Sequence, residues 1–264
     1  MPLPSLPGPL PGQIDVWLGF LADVPATLDP AYERLLDPGE RLRHQRYKVE
    51  GARREYLVGR AIVRTVLSRY APTAPADWRF EANQYGRPAI VGAAPGLVFN
   101  LSHTRGLAAL AVARDCDLGI DVERADRPSA THDLAGRYFS PTEAEFVRAG
   151  GAMLAERFFA VWTLKEAYIK ARGMGLALPL DGFSYDLAGT EPTITFHDSC
   201  PDDPARWRFW RGGVSDTHRL ALAVSPGAAG ADVQFRRIVP LTGFDESLTP
   251  APVTLDAPAG GRTA

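Results

Sequence analysis

The chain has 264 residues, of which 45% are hydrophobic and 23% charged, a balance typical of a soluble globular protein with a sizeable core. Its formal net charge of −2 excludes the global positive field that favours nucleic acid or an anionic membrane surface. The two cysteines, Cys116 and Cys200, are too few for a disulfide framework and lack metal-ligand spacing, so we expect a reduced, cytoplasmic compartment. No stretch has the length of a membrane span, and we expect no membrane or nucleic-acid partner.

The first half of the chain predicts an α+β unit. Residues 1–12 are rich in Pro and Gly, do not resemble a signal peptide and are expected to be disordered. The predicted elements that follow are a strand at 14–20, a helix from the capping box Asp37–Glu40 to Arg46, a helix at 53–70, a short strand at 78–80, a turn at 85–88, and strands at 97–101 and 107–112 around a polar loop at 102–106.

The second half repeats this order. Its predicted elements are a strand at 118–123, a capping box at Ser140–Glu143, a helix at 155–172, and strands at 183–185, 193–196, 207–210 and 220–224. We therefore predict an α+β single-chain pseudo-dimer, with similar halves over 13–117 and 118–241 and the active site between them. Residues 242–264 are rich in Pro, Ala, Gly and Thr and are predicted to be a disordered tail. A single-chain pseudo-dimer favours a monomer.

One helix carries two of the three lysines. The chain has 26 arginines and only Lys48, Lys165 and Lys170 as lysines. Because Lys is a compact charge that can lose its proton whereas Arg is a rigid, permanently charged fork, two lysines on one helix suggest chemistry there. Glu166 and Lys170 stand four residues apart and share a helix face, which fits either a solvated ion pair or a catalytic pair.

Asp121 and Glu123 lie two residues apart on a predicted strand. Both carboxylates therefore leave the same face of the strand, and their mutual repulsion calls for a cation. The pair alone fits two solvated acids at a strand end. Together with Glu166, three carboxylates without Cys or His suit a hard ion, above all Mg²⁺ with phosphate oxygens completing its shell.

Two further groups could bind an anion. His103 starts the predicted polar loop with Ser102 and Arg105 beside it, and it fits either a structural role or an anion site. The predicted helix that starts at the first capping box carries three arginines, which fit either a solvated helix face or a phosphate-binding site: Arg41, Arg43 and Arg46. Gly173-Met174-Gly175 follows a helix and predicts a helix stop, and the sequence contains no P-loop, nucleophile elbow or dinucleotide fingerprint.

Taken together, these segments resemble the Sfp-type phosphopantetheinyl transferases. The matching blocks are Phe99–His103, Leu118–Glu123 and Trp162–Lys170, with Tyr85–Pro88 and Gly175–Leu180 as further similar segments. The resemblance covers roughly residues 14–225, and the order and spacing of its blocks agree with the family. It implies two similar α+β halves in one chain with the site between them, which agrees with the repeat inferred above.

The resemblance implies an activity and a set of roles. The reaction would transfer the 4'-phosphopantetheine arm of coenzyme A to a serine of an apo acyl or peptidyl carrier protein, with Mg²⁺ bound by Asp121, Glu123 and Glu166. Glu166 would be the base that takes the serine proton, a metal ligand, or both, and Lys170 would reach the reacting phosphate. The implied coenzyme A contacts are His103 with Ser102 beside it at a phosphate, Gly86, Arg87 and Pro88 at the adenine end, and the helix containing Arg41, Arg43 and Arg46 at the ribose phosphate.

Two other functions remain open at this point. One is a non-catalytic coenzyme A- or carrier-binding protein on the same fold, although the presence of Asp121, Glu123, Glu166 and Lys170 argues against it. The other is a different Mg²⁺-dependent phosphoryl transferase, for which the sequence offers no phosphate-cradling glycine loop. The segment 124–131 follows the predicted strand that carries Asp121 and Glu123, and it contains Arg124 and Arg127. We therefore expect this segment to contact an acidic carrier protein.

Overall fold

The structure is a computed structural model that describes residues 9, 12–92, 94–126, 131–189, 191–225, 232–253 and 255. Helices begin and end at α1 Asp29–Leu35, α2 Pro38–Arg46, α3 Glu50–Tyr70, α4 Thr131–Tyr138, α5 Pro141–Arg148 and α6 Leu154–Arg172. The strands are β1 Gln13–Phe20, β2 Phe80–Ala82, β3 Pro88–Ile90, β4 Leu97–Thr104, β5 Leu107–Arg114, β6 Asp117–Arg124, β7 Phe183–Asp186, β8 Thr193–Phe196, β9 Arg208–Gly213, β10 His218–Ser225, β11 Asp232–Val239 and β12 Phe244–Ser247. The α+β class is confirmed.

Two larger sheets and two hairpins make up the β structure of the described residues. The first sheet has the order β12-β11-β1-β5-β4 and the second has the order β6-β10-β9, while β2-β3 and β7-β8 are separate pairs. In the first sheet β1 pairs antiparallel with β5, and β5 pairs antiparallel with β4. In the second sheet β6 pairs antiparallel with β10, and β10 pairs antiparallel with β9. The strand order β1-β5-β4 therefore has the same connectivity as β6-β10-β9.

The C-terminal part of the described chain departs from the predicted domains. The sequence assigns 232–241 to the second half, but β11 pairs parallel with β1 in the first sheet. The tail predicted to be disordered from 242 contains β12, which pairs antiparallel with β11. The alternation of Val233 and Phe235 with polar residues was the available strand signal. The expectations of disorder at 1–12, and at the tail beyond 255, concern residues that lie almost wholly outside the described ranges.

Both predicted capping boxes are present. In α2 the Asp37 carboxylate accepts the Glu40 amide at 2.9 Å, and the Glu40 side chain accepts the Asp37 amide at 3.1 Å. In α5 Ser140 and Glu143 make the same reciprocal pair, at 3.4 and 3.0 Å. Each box satisfies amide groups that a helix start would otherwise leave unbonded. Pro follows each box at the first helical position, where a backbone N–H would have no intrahelical partner.

In both halves a buried cation from the long helix binds the capping glutamate. Arg64 of α3 lies 2.7 Å from Glu40 and donates to the Trp78 carbonyl at 3.1 Å. Lys165 of α6 lies 2.8 Å from Glu143 and donates to the carbonyls of Leu180 and Phe183, at 2.7 Å each. Burial lowers the pKa of Lys165, and Glu143 opposes that shift. Lys165 therefore has a structural position, and only one of the two helix lysines remains a candidate for chemistry.

We expect Lys165→Met to lower the free energy of unfolding by about 3–5 kcal/mol, because it leaves the Glu143 carboxylate buried without its cation. The exposed Lys48→Met is the matched control and should change stability by no more than about 0.5 kcal/mol. The double variant Lys165→Met/Glu143→Gln should regain part of the loss, since no charge is then left unpaired. Urea unfolding measures all three; equal stability of Lys165→Met and the control would contradict this role.

Candidate active site

The site lies where β4 meets β6, the junction of the two sheets. Asn100 accepts the Ile120 amide at 3.0 Å, and the Ser102 hydroxyl accepts the Val122 amide at 3.3 Å. Thr104 donates to the Glu123 carboxylate at 3.2 Å. Polar side chains on alternate residues of β4 thus bond the edge of β6, which explains why polar residues occur in this buried strand. The sequence analysis treated 102–106 as a loop; the strand continues to Thr104, and the turn shortens to Arg105 and Gly106.

Asp121 is the centre of a buried polar cluster. Lys170 Nζ lies 2.6 Å from Asp121 Oδ1, and the Ser102 hydroxyl donates to the same oxygen at 2.9 Å. Lys170 also donates to Ser102 Oγ at 2.9 Å. Asp121 is 5% exposed, so its carboxylate is shielded from water, whereas the Lys170 side chain is 27% exposed. Of the two readings of Lys170, the structure favours the one in which its ammonium belongs to the carboxylate cluster.

Glycine at 119 allows α6 to approach β6 closely enough to complete the cluster. A Cβ at Gly119 would lie 1.9 Å from the Ala167 carbonyl oxygen, a distance that no side chain can adopt. This close approach places Glu166 and Lys170 of α6 against the carboxylates of β6. The pKa of Glu166 is raised to about 7, first by burial and then by the charges of Asp121 and Glu123, with Lys170 opposing the shift. A carboxyl with a pKa near neutrality is suited to accept a proton.

The donor set is compatible with Mg²⁺. Asp121 Oδ2 is buried and has no hydrogen-bond partner within the described structure, which leaves an anionic oxygen for a cation. Asp121, Glu123 and Glu166 supply the oxygen ligands that Mg²⁺ prefers. No three acidic, His or Cys groups among the described residues are already assembled as a metal cluster.

A cationic cavity of about 450 Å³ adjoins the cluster on the side of the first half. His103, Arg43 and Arg60 supply its cationic or protonatable groups, and the Tyr56 ring centre lies 5.6 and 5.9 Å from the two guanidinium carbons. The carboxylates of Asp37 and Glu40 also line the wall; both pair with the buried Arg64, and Glu40 lies 3.5 Å from Arg60 as well. The pKa of His103 is lowered, first by desolvation and then by Lys170, Arg60 and Arg43. The imidazole is therefore neutral near pH 7, and an anion in this cavity would favour its protonation.

A second cavity of about 290 Å³ continues from the first to the cluster. Both cavities share wall residues, namely Gly86, Pro88, Asn100 and Leu101. Glu166 and Lys170 form the far wall of the smaller one, which Tyr85 and Arg87 also line. The shared wall makes one cleft that leads from the cations at Arg43 and Arg60 to the carboxylates of the cluster.

The predicted turn at Tyr85–Pro88 is held to the second half by Arg87. Its guanidinium donates to the Ala171 carbonyl at 2.6 Å and to the Leu118 carbonyl at 3.3 Å, and burial lowers its pKa. The helix stop predicted after α6 is also present: Gly173 has φ of 64°, and a Cβ there would lie 2.7 Å from the Arg87 side chain. The turn therefore lines the cleft, and its Arg87 caps a carbonyl in the last turn of α6.

The structure brings together most, though not all, of the predicted site residues. The predicted site residues that line the cleft are Gly86, Arg87, Pro88, His103, Glu166, Lys170 and Arg43. Asp121, Glu123 and Ser102 line neither cavity; Asp121 and Ser102 contact Lys170 behind the wall, and Glu123 accepts a hydrogen bond from Thr104. Arg41 and Arg46 lie outside the wall that the described residues form, and Arg41 donates to the Leu36 carbonyl of the chain itself. The Ser102 hydroxyl donates to Asp121 and accepts hydrogen bonds from Lys170 and the Val122 amide.

The cleft-wall residues that sequence reasoning missed include Tyr56, Arg60 and Asn100. The sequence analysis placed Tyr56 and Arg60 in the helix 53–70 and Asn100 in the strand 97–101, and it gave none of them a functional role. The available signal was the spacing of Tyr56, Arg60 and Arg64, which recur every four residues and so form one stripe of α3. In the predicted carrier segment, Arg124 pairs with Asp126, and Arg127 lies outside the described residues.

Comparison with known proteins identifies relatives of this chain. Residues 117–224 match the 4'-phosphopantetheinyl transferase superfamily. The 4'-phosphopantetheinyl transferase HetI of Nostoc is 38% identical over 161 residues, which cover 60% of this chain and 67% of that protein. A phosphopantetheinyl transferase of Thraustochytrium is 28% identical over 256 residues, 89% of this chain and 88% of the relative. The 4'-phosphopantetheinyl transferase Sfp of Bacillus subtilis is 36% identical over 142 residues, 53% and 61% respectively.

Proposed function

We propose a specific reaction for this chain, which belongs to the 4'-phosphopantetheinyl transferase superfamily and is a transferase. In this reaction it moves the 4'-phosphopantetheine arm of coenzyme A to a serine of an apo acyl or peptidyl carrier protein. The observation that carries this proposal is the continuous cleft between the two sheets. It joins a cationic cavity suited to phosphates to a carboxylate cluster containing Lys170 and a carboxyl that titrates near neutrality. The products would be the holo carrier and 3',5'-ADP.

The reaction forms one bond and breaks one bond at the phosphorus that carries pantetheine. The carrier serine oxygen attacks this phosphorus, and the pyrophosphate bond to the nucleotide breaks with release of 3',5'-ADP. Glu166 takes the serine proton, directly or through a water; in the absence of a bound cation its pKa is raised to about 7 by burial and by Asp121 and Glu123. Lys170 lies at the same end of the cleft and offsets the negative charge that builds on the phosphate oxygens.

Asp121, Glu123 and Glu166 are the residues that would hold Mg²⁺, and the unpartnered Asp121 Oδ2 is the structural basis for this proposal. When bound, the ion would offset the pyrophosphate charge. Ser102 and Lys170 fix Asp121 Oδ1, so the orientation of the carboxylate is set before any ligand arrives. The adenine end of coenzyme A would lie along Gly86, Arg87 and Pro88, with phosphates toward His103, Arg43 and Arg60.

A mass measurement tests the proposal. The full chain is mixed with coenzyme A, MgCl₂ and an apo acyl carrier protein, and the carrier is weighed. We expect a mass increase of one phosphopantetheine that is lost when the carrier serine is replaced by Ala. Coenzyme A binding without any change in carrier mass, for both acyl and peptidyl carriers, would instead identify a non-catalytic binding protein.

Coenzyme A binding should depend on pH through His103. Because nearby cations and desolvation keep the imidazole neutral near pH 7 and phosphates favour its charged form, coenzyme A should bind with proton uptake. Affinity should rise as the pH falls from about 8 toward about 6, near the ordinary His pKa. Calorimetry in buffers of different ionisation enthalpy measures both effects.

His103→Ala should abolish the proton uptake and weaken binding about tenfold, the usual size of a charge-assisted hydrogen bond. Arg60→Gln should also weaken binding, whereas Arg41→Gln, outside the cavity wall, is the matched control and should bind as the parent does. An unchanged dissociation constant and unchanged proton uptake in His103→Ala would remove this residue from the coenzyme A site.

We also propose that the two halves are repeats of one ancestral unit, with the active site between them and a boundary at residues 117 and 118. The matching strand orders β1-β5-β4 and β6-β10-β9 support this, as do the matching clamps of Arg64 on Glu40 and Lys165 on Glu143. No helix in the described part of the chain combines the length and the apolar character needed to cross a membrane. The monomeric state, the cytoplasmic location and the carrier contact at 124–131 stay predictions.

A further inference from the structure

The largest cavity among those described lies in the second half and shares no wall residue with the cleft proposed as the active site. Its volume is about 630 Å³, within the range of small-molecule sites. Its wall combines the first turn of α5 at Thr142 and Glu143 with strands β7 and β8 and with Arg211 of β9. Val253 and Leu255 line one side, and Arg157 donates to the Leu255 carbonyl at 2.9 Å.

This cavity is built like the cationic cavity of the first half. There the wall consists of the first turn of α2 at Gly39 and Glu40, the hairpin β2-β3 and the edge strand β4. Here it consists of the first turn of α5, the hairpin β7-β8 and the edge strand β9. Two cavities with equivalent walls therefore lie in one chain, and the enzyme reaction proposed above uses only the first.

The side chains of the two cavities differ in a way that indicates different ligands. The first presents Arg43, Arg60 and His103, which suit several phosphate charges. The second presents one cation, Arg211. Phe146 of α5 occupies the helix position that Arg43 occupies in α2, six residues after the N-cap. The rest of its wall includes one exposed carboxylate, Asp186, which accepts the Ala188 amide at 2.9 Å. Otherwise the wall mixes hydroxyls with apolar side chains: Thr142, Ser184, Thr195, Leu187, Val253 and Leu255.

Arg211 is not neutralised by the described part of the chain. Its guanidinium donates to the Val253 carbonyl at 3.3 Å, and no described carboxylate lies within ion-pair distance of it. Glu143 also lines the cavity, but its oxygens already bind Lys165, Ser140 and the Tyr185 amide. Burial lowers the pKa of Arg211, yet a guanidinium stays charged in proteins. A half-buried charge of this kind is stabilised by a planar anion that can accept from its fork.

We propose that this cavity binds an amphipathic monocarboxylate, with its carboxylate on Arg211 and its hydrocarbon chain against Phe146, Leu187, Val253 and Leu255. Arg211 has no described carboxylate within ion-pair distance and can therefore bind one carboxylate from a ligand, and the apolar wall matches an alkyl chain of medium length. A polyphosphate would meet too few cations here, so coenzyme A is not the ligand of this site.

Calorimetric titration of the full chain with octanoate tests the proposal, with octanol as the uncharged probe of equal length. Octanoate should bind saturably and at least about tenfold more tightly than octanol, since the charge contributes a charge-assisted hydrogen bond. Arg211→Gln should weaken octanoate at least about tenfold, while Arg208→Gln, a neighbour on the same strand outside the cavity wall, should bind like the parent. Coenzyme A binding should be unchanged in Arg211→Gln and should not compete with octanoate.

Ala188→Phe, which places a ring at the cavity wall, provides a second variant if Arg211→Gln does not fold. It should block octanoate and leave coenzyme A binding intact. The proposal is overturned by the absence of saturable octanoate binding, by equal affinity in Arg211→Gln or in Ala188→Phe, or by equal affinity for octanol. Displacement of octanoate by coenzyme A would place it in the first cavity and overturn the proposal as well.

Discussion

Replacing Glu166 by Gln is expected to lower phosphopantetheine transfer at least about a hundredfold, the low end for the loss of a positioned base. The substitution keeps the size of the side chain and much of its hydrogen bonding but removes its charge and basicity. The rate of carrier modification at saturating coenzyme A measures the loss. Glu145→Gln, on the exposed face of α5, is the matched control and should react at the parental rate.

The same substitution should raise stability at alkaline pH. In the folded protein the pKa of Glu166 is raised from 4.5 to about 7, so folding favours its protonated form. The stabilisation is complete below about pH 4.5 and is lost as the pH rises through about 7. Without divalent cations, Glu166→Gln should therefore exceed the parent by about 1–3 kcal/mol at pH 8 and match it near pH 4.5 in urea unfolding.

These two measurements separate a catalytic Glu166 from a structural one. A structural carboxylate would lose stability and activity together when replaced, whereas we expect the variant to be inactive and more stable. Parental turnover in a folded Glu166→Gln would remove the residue from the reaction. A flat difference in stability between pH 4.5 and pH 8 would show that its environment does not raise its pKa.

Lys170→Arg is expected to lower transfer by about a hundred- to a thousandfold, close to Lys170→Ala, as for the loss of one group that stabilises developing charge. The compact ammonium lies 2.6 Å from Asp121 Oδ1 and 2.9 Å from Ser102 Oγ. A planar guanidinium has a different shape and cannot take the same position between these two oxygens. Its displacement would also turn Asp121 away from the orientation that leaves Oδ2 free.

Stability gives the control for this variant. Lys170→Arg keeps a positive charge near the buried Asp121, so it should lower the free energy of unfolding less than Lys170→Ala, which leaves this carboxylate without its cation. The exposed Lys48→Arg should leave both rate and stability unchanged. If Lys170→Arg turned over at nearly the parental rate, charge alone would suffice at this position, and the contrast between three lysines and 26 arginines would carry no chemical meaning there.

The sequence alone determined the features that depend on neighbouring residues. The capping boxes at Asp37 and Ser140, the helix stop at Gly173 and the shared face of Asp121 and Glu123 follow from spacings of two to four residues, because a single turn or a single strand fixes their geometry. The segments that resemble the transferase family also lie within single elements, and the family assignment agreed with them.

The tertiary structure decided which of several chemically equivalent residues belong to the site. Lys165 and Lys170 are alike in sequence, but the first is buried against Glu143 of α5 and the second contacts Asp121 of β6. Arg43 lines the cleft with Arg60, while Arg41 on the same helix does not. Strand β11 lies beside β1, 219 residues away at the first registered pair, Gln13 and Asp232. These outcomes depend on which elements pack together, and such long-range packing leaves no signal in the local spacing of residues.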